Sequence, residues 1–323
     1  MRKSIFKGFL SVSSAIMVLT TLLTVSAISC ALKGTDAGKI IVAVTILPQA
    51  GFVEAIGGDK VEVVLMVPPG ASPHTYEVTP DQMVKLSKAK MYAKVGSPVE
   101  FELAWMDKLI AVNEAMLVVD CSQGIQLLEM DEHQCDHEHE HDQNCEHEQN
   151  HNHDPEHDHK HTGLDPHIWL SVKNAKVMVQ NICDGLVQVD PANKAYYEKN
   201  CADYLEDLRR LDSDIKDVLS GVKNRSFIVY HPAWGYFARD YNLMQIAVEQ
   251  GGKEPDAAYI VRLIEEAKEH DIRVIFVSPQ HSTSSAEVIA REIGGEVVII
   301  QPLAKDFISN MRAITSAMKQ AMQ

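Results

Sequence analysis

Histidine dominates the chemistry open to this sequence. Ten of its fifteen histidines crowd into one stretch, HQCDHEHEHDQNCEHEQNHNHDPEHDHKH, as His133, His137, His139, His141, His147, His151, His153, His157, His159 and His161. Neutral imidazole is a good donor to zinc, copper, nickel and iron, and the repeated His-x-His spacing offers many interchangeable donors. Residues 131–161 also carry eleven carboxylates against the single Lys160 and no apolar periodicity. Such a segment is predicted to be a disordered acidic loop that gathers metal as an accessory. Ordering a flexible backbone costs roughly 1–2 kcal/mol per residue, so ligands held by a fold should bind an ion more tightly than ligands drawn from this loop.

Three histidines outside the tract stand in settings that a fold could fix. His74 follows the apolar run VEVVLMV in PPGASPHTYEVTP, and His231 follows SFIVY directly in YHPAWGYF. His167, in LDPHIWL, comes just after the acidic loop and before a helical stretch. A lone loop histidine is more often a surface or core residue than a ligand, but three at strand ends are a candidate site. His281, in SPQHSTSS, also follows a strand and is a further candidate, whereas His270 suits a solvent-facing helix end.

The elements that must position these side chains are legible as two similar halves. Apolar runs at 40–46, 61–67, 91–95 and 116–121 alternate with helical stretches near 49–57, 80–89 and 99–112. The rhythm returns with strands at 226–230, 243–249, 273–277 and 296–300 and helices near 233–241, 256–270, 283–293 and 306–321. Near-continuous apolar strands with helical crossovers predict an α/β fold of two lobes, each a mainly parallel sheet of about four strands covered on both faces. Between them, Leu205, Leu208, Leu211, Ile215, Val218 and Val222 form one apolar stripe on a long helix. Asp190 and Pro191 read as its start and Gly221 as its end. The expected organisation is therefore a leader at 1–29, a first lobe at 30–189 that includes the loop 131–161, a linking helix at 190–222 and a second lobe at 223–323.

Composition narrows the classes. A chain of 323 residues with 46% hydrophobic content can build real cores, and a formal net charge of -15 excludes a basic stripe for nucleic acid. MRKSIFKG followed by an uncharged apolar segment and small residues reads as an export signal, with an uncleaved membrane anchor as the alternative. AISC resembles a bacterial lipobox, with Ala27 where Leu is usual, and makes Cys30 the expected lipid attachment point; ordinary secretion is the competing reading. Cys121, Cys183 and Cys201 read as small buried apolar residues, with a bridge between Cys183 and Cys201 as an alternative in an exported protein.

PPGASPHTYE, LDPHIWLS, YHPAWGYFA and the SPQ and QPLAKD segments resemble the metal-binding lipoproteins of bacterial ABC importers for zinc and manganese, the cluster A-I family, and most closely its zinc-binding ZnuA type. The resemblance covers nearly the whole mature chain. It implies two α/β lobes joined by one long backbone helix, a metal ion buried between them as transported cargo, and an ABC membrane permease as partner. It also implies an exported, monomeric protein on the periplasmic or cell-surface side of the membrane, with no catalytic role. Carried over residue by residue, the family's metal histidines fall on His74, His167 and His231. Manganese members usually have a carboxylate at the third position, so His231 favours zinc. Where relatives often have Asp in DPL or DSL, this chain has Gln301, and a water with Gln301 nearby is the expected fourth donor.

Three histidines and a water also describe catalytic zinc sites. A zinc hydrolase, however, needs a general base beside the open metal position; HExxH occurs only inside the acidic tract, at 137–141 and 147–151, where no helix is expected to hold it, and neither Glu77 nor Glu249 has a context that marks it as a base. Two further readings stay open: a manganese-binding member of the same family, and a surface metal buffer or adhesin in which the tract is the main device.

Overall fold

Eight short apolar runs become strands and assemble into two separate four-stranded sheets, seen in a computed structural model that describes residues 38–130 and 163–323. The leader with Cys30 and the tract histidines His133 to His161 lie outside the described residues. In the first sheet β1 (Ile40–Val44), β2 (Val61–Leu65), β3 (Met91–Lys94) and β4 (Leu117–Asp120) stand in the order β2-β1-β3-β4. In the second, β5 (Ser226–Val229), β6 (Met244–Ala247), β7 (Val274–Val277) and β8 (Glu296–Ile299) repeat that order as β6-β5-β7-β8. Every pairing is parallel. Val42, Ala43 and Val44 of β1 and Phe227, Ile228 and Val229 of β5 are buried, as central strands covered by helices on both faces must be. The α/β class and the two-sheet architecture expected from the sequence are those observed.

The helices that cover the first sheet are α1 (Leu47–Gly57), α2 (Pro80–Leu86), α3 (Glu100–Val112) and α4 (Val172–Val189). The long helix α5 (Lys194–Ser220) follows, and α6 (Gly235–Tyr241), α7 (Ala257–Glu269), α8 (Ser284–Glu292) and α9 (Phe307–Ala321) complete the chain. Local chemistry sets their ends. Pro80 starts α2 behind Thr79, whose hydroxyl accepts from the Gln82 backbone while Gln82 returns a bond to the Thr79 backbone, a capping box. Asp256 caps α7 by accepting from the Tyr259 N–H at 2.7 Å.

The linking helix differs from expectation at its start. Asp190 does not cap it: residues Pro191–Asn193 form a 3-10 turn, and α5 begins at Lys194 behind Asn193. The Asp190 carboxylate instead accepts from the Asn193 amide at 2.7 Å and the Tyr197 hydroxyl at 2.6 Å. The 27 residues of α5 make a rod of about 40 Å. It packs on α1 and α4 from the first half and on α9 from the second. Leu208, Leu211 and Ile215 of the expected stripe are buried, and Leu219 joins them while Val218 is only partly covered. Cys183 on α4 and Cys201 on α5 are both buried and unbridged, with their thiols in contact across this helix pair.

One apolar core runs through both halves, from Val42 and Phe52 to Phe237 and Met311, and a smaller one lies around Ile228, Ile246 and Leu263. Phe52 and Phe307 meet edge to face at 5.3 Å. Polar bonds cross the same boundary. The Tyr236 hydroxyl donates to the Asp165 carbonyl at 2.8 Å and accepts from the Leu128 N–H at 3.1 Å, and the Trp169 indole donates to the Pro302 carbonyl at 3.0 Å. The two sheets are thus held at one relative position by packing and hydrogen bonds, with the carboxyl ends of their strands meeting across a crevice.

Candidate metal centre

Strand order reverses on either side of β1 in the first sheet and of β5 in the second, and such reversals leave a crevice beyond the carboxyl ends of the strands. The candidate histidines are delivered there. His74 sits on the segment between β2 and α2, whose backbone is pinned by the Phe101 N–H donating to the Pro73 carbonyl at 3.0 Å. His231 stands two residues beyond the last residue of β5. His167 opens a 3-10 turn, Ile168–Leu170, whose three side chains are all buried and fix the ring from beneath.

The three rings converge. Their centroids are 5.5 Å apart for His74 and His167, and 5.0 Å for both His74 with His231 and His167 with His231. One nitrogen from each lies within 4.8 Å of the other two. The Nε2 atoms of His167 and His231 are 3.2 Å apart. Zinc bonds of about 2.0–2.1 Å at tetrahedral angles put ligand nitrogens about 3.3 Å apart, so the spacing suits one small cation.

Each ring is oriented by its own carboxylate. His74 Nδ1 meets Glu100 Oε2 at 2.6 Å, His167 Nδ1 meets Asp165 Oδ1 at 2.8 Å, and His231 Nδ1 meets Glu249 Oε2 at 2.9 Å. An ionised carboxylate only accepts, so Nδ1 must carry the proton and donate it, which leaves a lone pair on Nε2. Three lone pairs then face one another with no proton between them, inside a ring of three negative charges. That arrangement repels itself and is relieved by a cation, and carboxylate–histidine pairing of this kind both orients the ring and raises its basicity toward metal.

Local sequence explains how the carboxylates arrive. Asp165 Oδ1 also accepts the backbone N–H of His167 at 2.8 Å, so the Asp-Pro-His segment closes on itself. Gly235 begins α6 directly over Asp165, so close that a Cβ there would stand 2.7 Å from Asp165 Oδ2. Glu100 lies in the first turn of α3, where the helix dipole favours a negative charge. That end of α3 is anchored by the buried Glu102, which accepts from Val95 N at 2.6 Å and Gly96 N at 2.9 Å and from the Thr45 hydroxyl. Gly96, at a φ of 86°, makes the left-handed turn that presents its N–H to Glu102.

The electrostatics favour a neutral His231 and charged Glu100 and Glu249. Burial, reinforced by the neighbouring His167 and His74, holds His231 below the ordinary histidine range despite its bond to Glu249. Burial works to raise Glu249 and Glu100, but the hydrogen bonds and charges of His231 and His74 outweigh it and leave both carboxyls below their usual values.

The remaining sequence candidates divide. His281 stacks on His231 with centroids 4.9 Å apart and rings 18° from parallel, and groups with His231 and Glu249 as a second potential ligand set. His270 is exposed at the end of α7, and Glu77 is exposed as well. The Gln301 amide oxygen accepts from the Leu303 N–H at 3.1 Å, a local bond that occupies the donor expected near an ion. Sequence reasoning did not find Glu100, Asp165 and Glu249 in their orienting roles. Only Asp165 left a signal, since it lies two residues before His167.

Comparison with known proteins gives the family. Residues 42–321 match the family model ZnuA, described as zinc-uptake complex component A, periplasmic. The chain is 33% identical over 267 residues to the high-affinity zinc uptake system protein ZnuA of Bacillus subtilis, covering 82% of this chain and 79% of that protein. It is 28% identical over 319 residues to the zinc-binding lipoprotein AdcA of Streptococcus pneumoniae, covering 94% of this chain but only 60% of the longer AdcA. A crystal structure of ZnuA superposes with a TM-score of 0.77 at 38% identity, covering 88% of this chain and 100% of that one.

Proposed function

Because the chain belongs to the ZnuA family of zinc-uptake components, we propose that it captures zinc outside the cytoplasm and delivers it to the membrane permease of an ABC importer. His74, His167 and His231 are the ligands in this reading, and the ion is cargo. The observation that carries it is the convergence of three imidazoles, each with Nδ1 held by a carboxylate and Nε2 left free. A water completes the set. Nitrogen donors favour zinc over manganese, while copper and nickel would bind comparably or better and are excluded by availability.

The other parts of the chain serve this task. Lipid on Cys30 would tether a monomer to the outer side of the membrane, in keeping with the lipoprotein name of AdcA. The tract from His133 to His161 would raise the local supply of zinc without forming the transport site. Catalysis is not favoured: the three carboxylates beside the rings are each hydrogen-bonded to one, so none of them is free to act as a general base.

Metal analysis of the mature protein with and without residues 131–161, combined with zinc and manganese competition, tests the reading. Deletion is expected to remove several weakly bound ions and leave one tight zinc. Loss of the only tight site in the deletion would make the tract the device and the protein a metal buffer. Displacement of zinc by manganese at comparable concentration would overturn the choice of metal.

A further inference from the structure

His281 is the one sequence candidate that the three-histidine site leaves unused, and its surroundings are unusual. The ring is half-buried, and among the described residues neither of its nitrogens has a hydrogen-bond partner; only its backbone N–H is engaged, with the Ser278 carbonyl at 3.1 Å. Neither nitrogen is sealed from solvent, so the lone pair of the neutral ring is open to a ligand. What it faces is a ligand set. One donor atom each from His281, Glu249 and His231 lie within 4.8 Å of one another. Glu254, hydrogen-bonded to the Ser285 hydroxyl at 2.6 Å, adds a negative charge on the same side.

We propose that His231, Glu249 and His281 form a second metal station, adjoining the first and sharing His231 with it. Its ligands follow β5, β6 and β7, which are neighbours in the order β6-β5-β7, so one sheet builds the whole station. The three-histidine site, by contrast, needs both halves of the molecule. Two nitrogens and a carboxylate suit zinc, a donor set also used where zinc keeps an open position.

The two stations compete for His231. The first uses its Nε2, which faces His167 Nε2 at 3.2 Å, and the second uses its Nδ1, which faces Glu249 Oε2 at 2.9 Å. An ion moving to the second station takes the place of the Nδ1 proton: that N–H bond breaks with its proton passing to water, and Nε2, once it no longer holds metal, takes a proton from water, so the ring stays neutral throughout. Simultaneous occupancy would require His231 to lose both ring protons. One ion therefore alternates between the stations, with the second acting as the point of arrival or departure.

Anomalous diffraction at the zinc edge from crystals of the mature full-length chain tests this. The unaltered chain is expected to show its peak among His74, His167 and His231, and absence of that peak would count against the proposed transport site rather than against the second station. In the H74A/H167A variant the peak should move to His231, Glu249 and His281, and should vanish when H281A or E249Q is added. No peak near His281 in H74A/H167A, or a peak there that survives H281A, overturns the proposal. If the double variant does not fold, H281A alone is read in solution by the rate at which a chelator withdraws the tight zinc. At least a severalfold change is expected, and an unchanged rate overturns the second station.

Discussion

The His167–Asp165 and His74–Glu100 pairs carry the same chemistry in opposite surroundings. The first has side chains 3% and 5% exposed; the second, 22% and 36%. Asp165 is locked by its own chain segment, by the Tyr236 bond to its carbonyl and by α6 above it. Glu100 reaches His74 from a different element, across an edge open to water. Low effective dielectric strengthens a charge-assisted bond at the buried end, while solvent screens it at the open end. Burial therefore grades the three proposed ligands, and His74 is the most exposed of them.

The largest effect should separate the two ends. Structural zinc in small peptides binds with about 10–16 kcal/mol, so one ligand of three or four accounts for roughly 3–5 kcal/mol, or on the order of 150- to 5,000-fold in affinity. His167→Ala is expected at the top of that range and His74→Ala about tenfold milder, measured by chelator competition in a tract-deleted background. Equal losses would break the comparison. The orienting carboxylates should repeat the order on a smaller scale. Asp165→Asn should weaken zinc toward the 100-fold end of the usual 10–100-fold range for such partners, and Glu100→Gln toward the tenfold end.

The grading was not legible in the sequence, although much else was. Helix-covered parallel strands are largely apolar, so all eight could be read from short runs such as IIVAVTI and SFIVY, even where, as in β8, the strand is only partly buried. The three histidines stood out by their positions after strands. Asp190-Pro191 misled because the same pair that starts a helix also starts a 3-10 turn, and only the tertiary contact with Tyr197 shows what Asp190 does. Glu100 lies 26 residues from His74, and Glu249 lies 18 from His231, so no local pattern links them. Gly235 has no sequence signal at all, since its role is the close approach of α6 to Asp165.

Acid should sharpen the contrast between the fold and the tract. In the metal-free protein, burial and the neighbouring rings hold His231 below its ordinary value, so the unfolded chain takes up that proton first as pH falls. The stability due to a neutral His231 is whole above about pH 6.5 and is lost as pH falls through the folded value. Glu249 and Glu100, also depressed, contribute above about pH 4.3 and lose that contribution below it. Tract capture is expected to fade as pH drops through about 6.5, while the folded site keeps its ion to lower pH. Zinc retained against pH should thus fall in two steps in the full chain and in one step, the lower, after deletion of 131–161. Thermal melts of the metal-free His231→Gln variant should lose part of the decline between pH 6.5 and 5.

The smallest effect tests the locked end without touching a ligand or a charge. Gly235→Ala would bring a methyl group 2.7 Å from Asp165 Oδ2, closer than carbon and oxygen can stand, so the carboxylate must shift. Because one oxygen of Asp165 holds both the backbone and the ring of His167, that shift reaches the metal-facing Nε2. Zinc affinity should fall severalfold, less than for Asp165→Asn. Alanine is otherwise the better residue in a helix, by about 0.5–1 kcal/mol, which offsets the cost of the displaced carboxylate to the fold. The expected signature is weaker zinc binding at a nearly unchanged metal-free Tm. A large fall in Tm with zinc affinity intact would mean that the close contact serves the packing of α6 and not the orientation of His167, and the buried pair would then owe its rigidity to its own Asp-Pro-His segment alone.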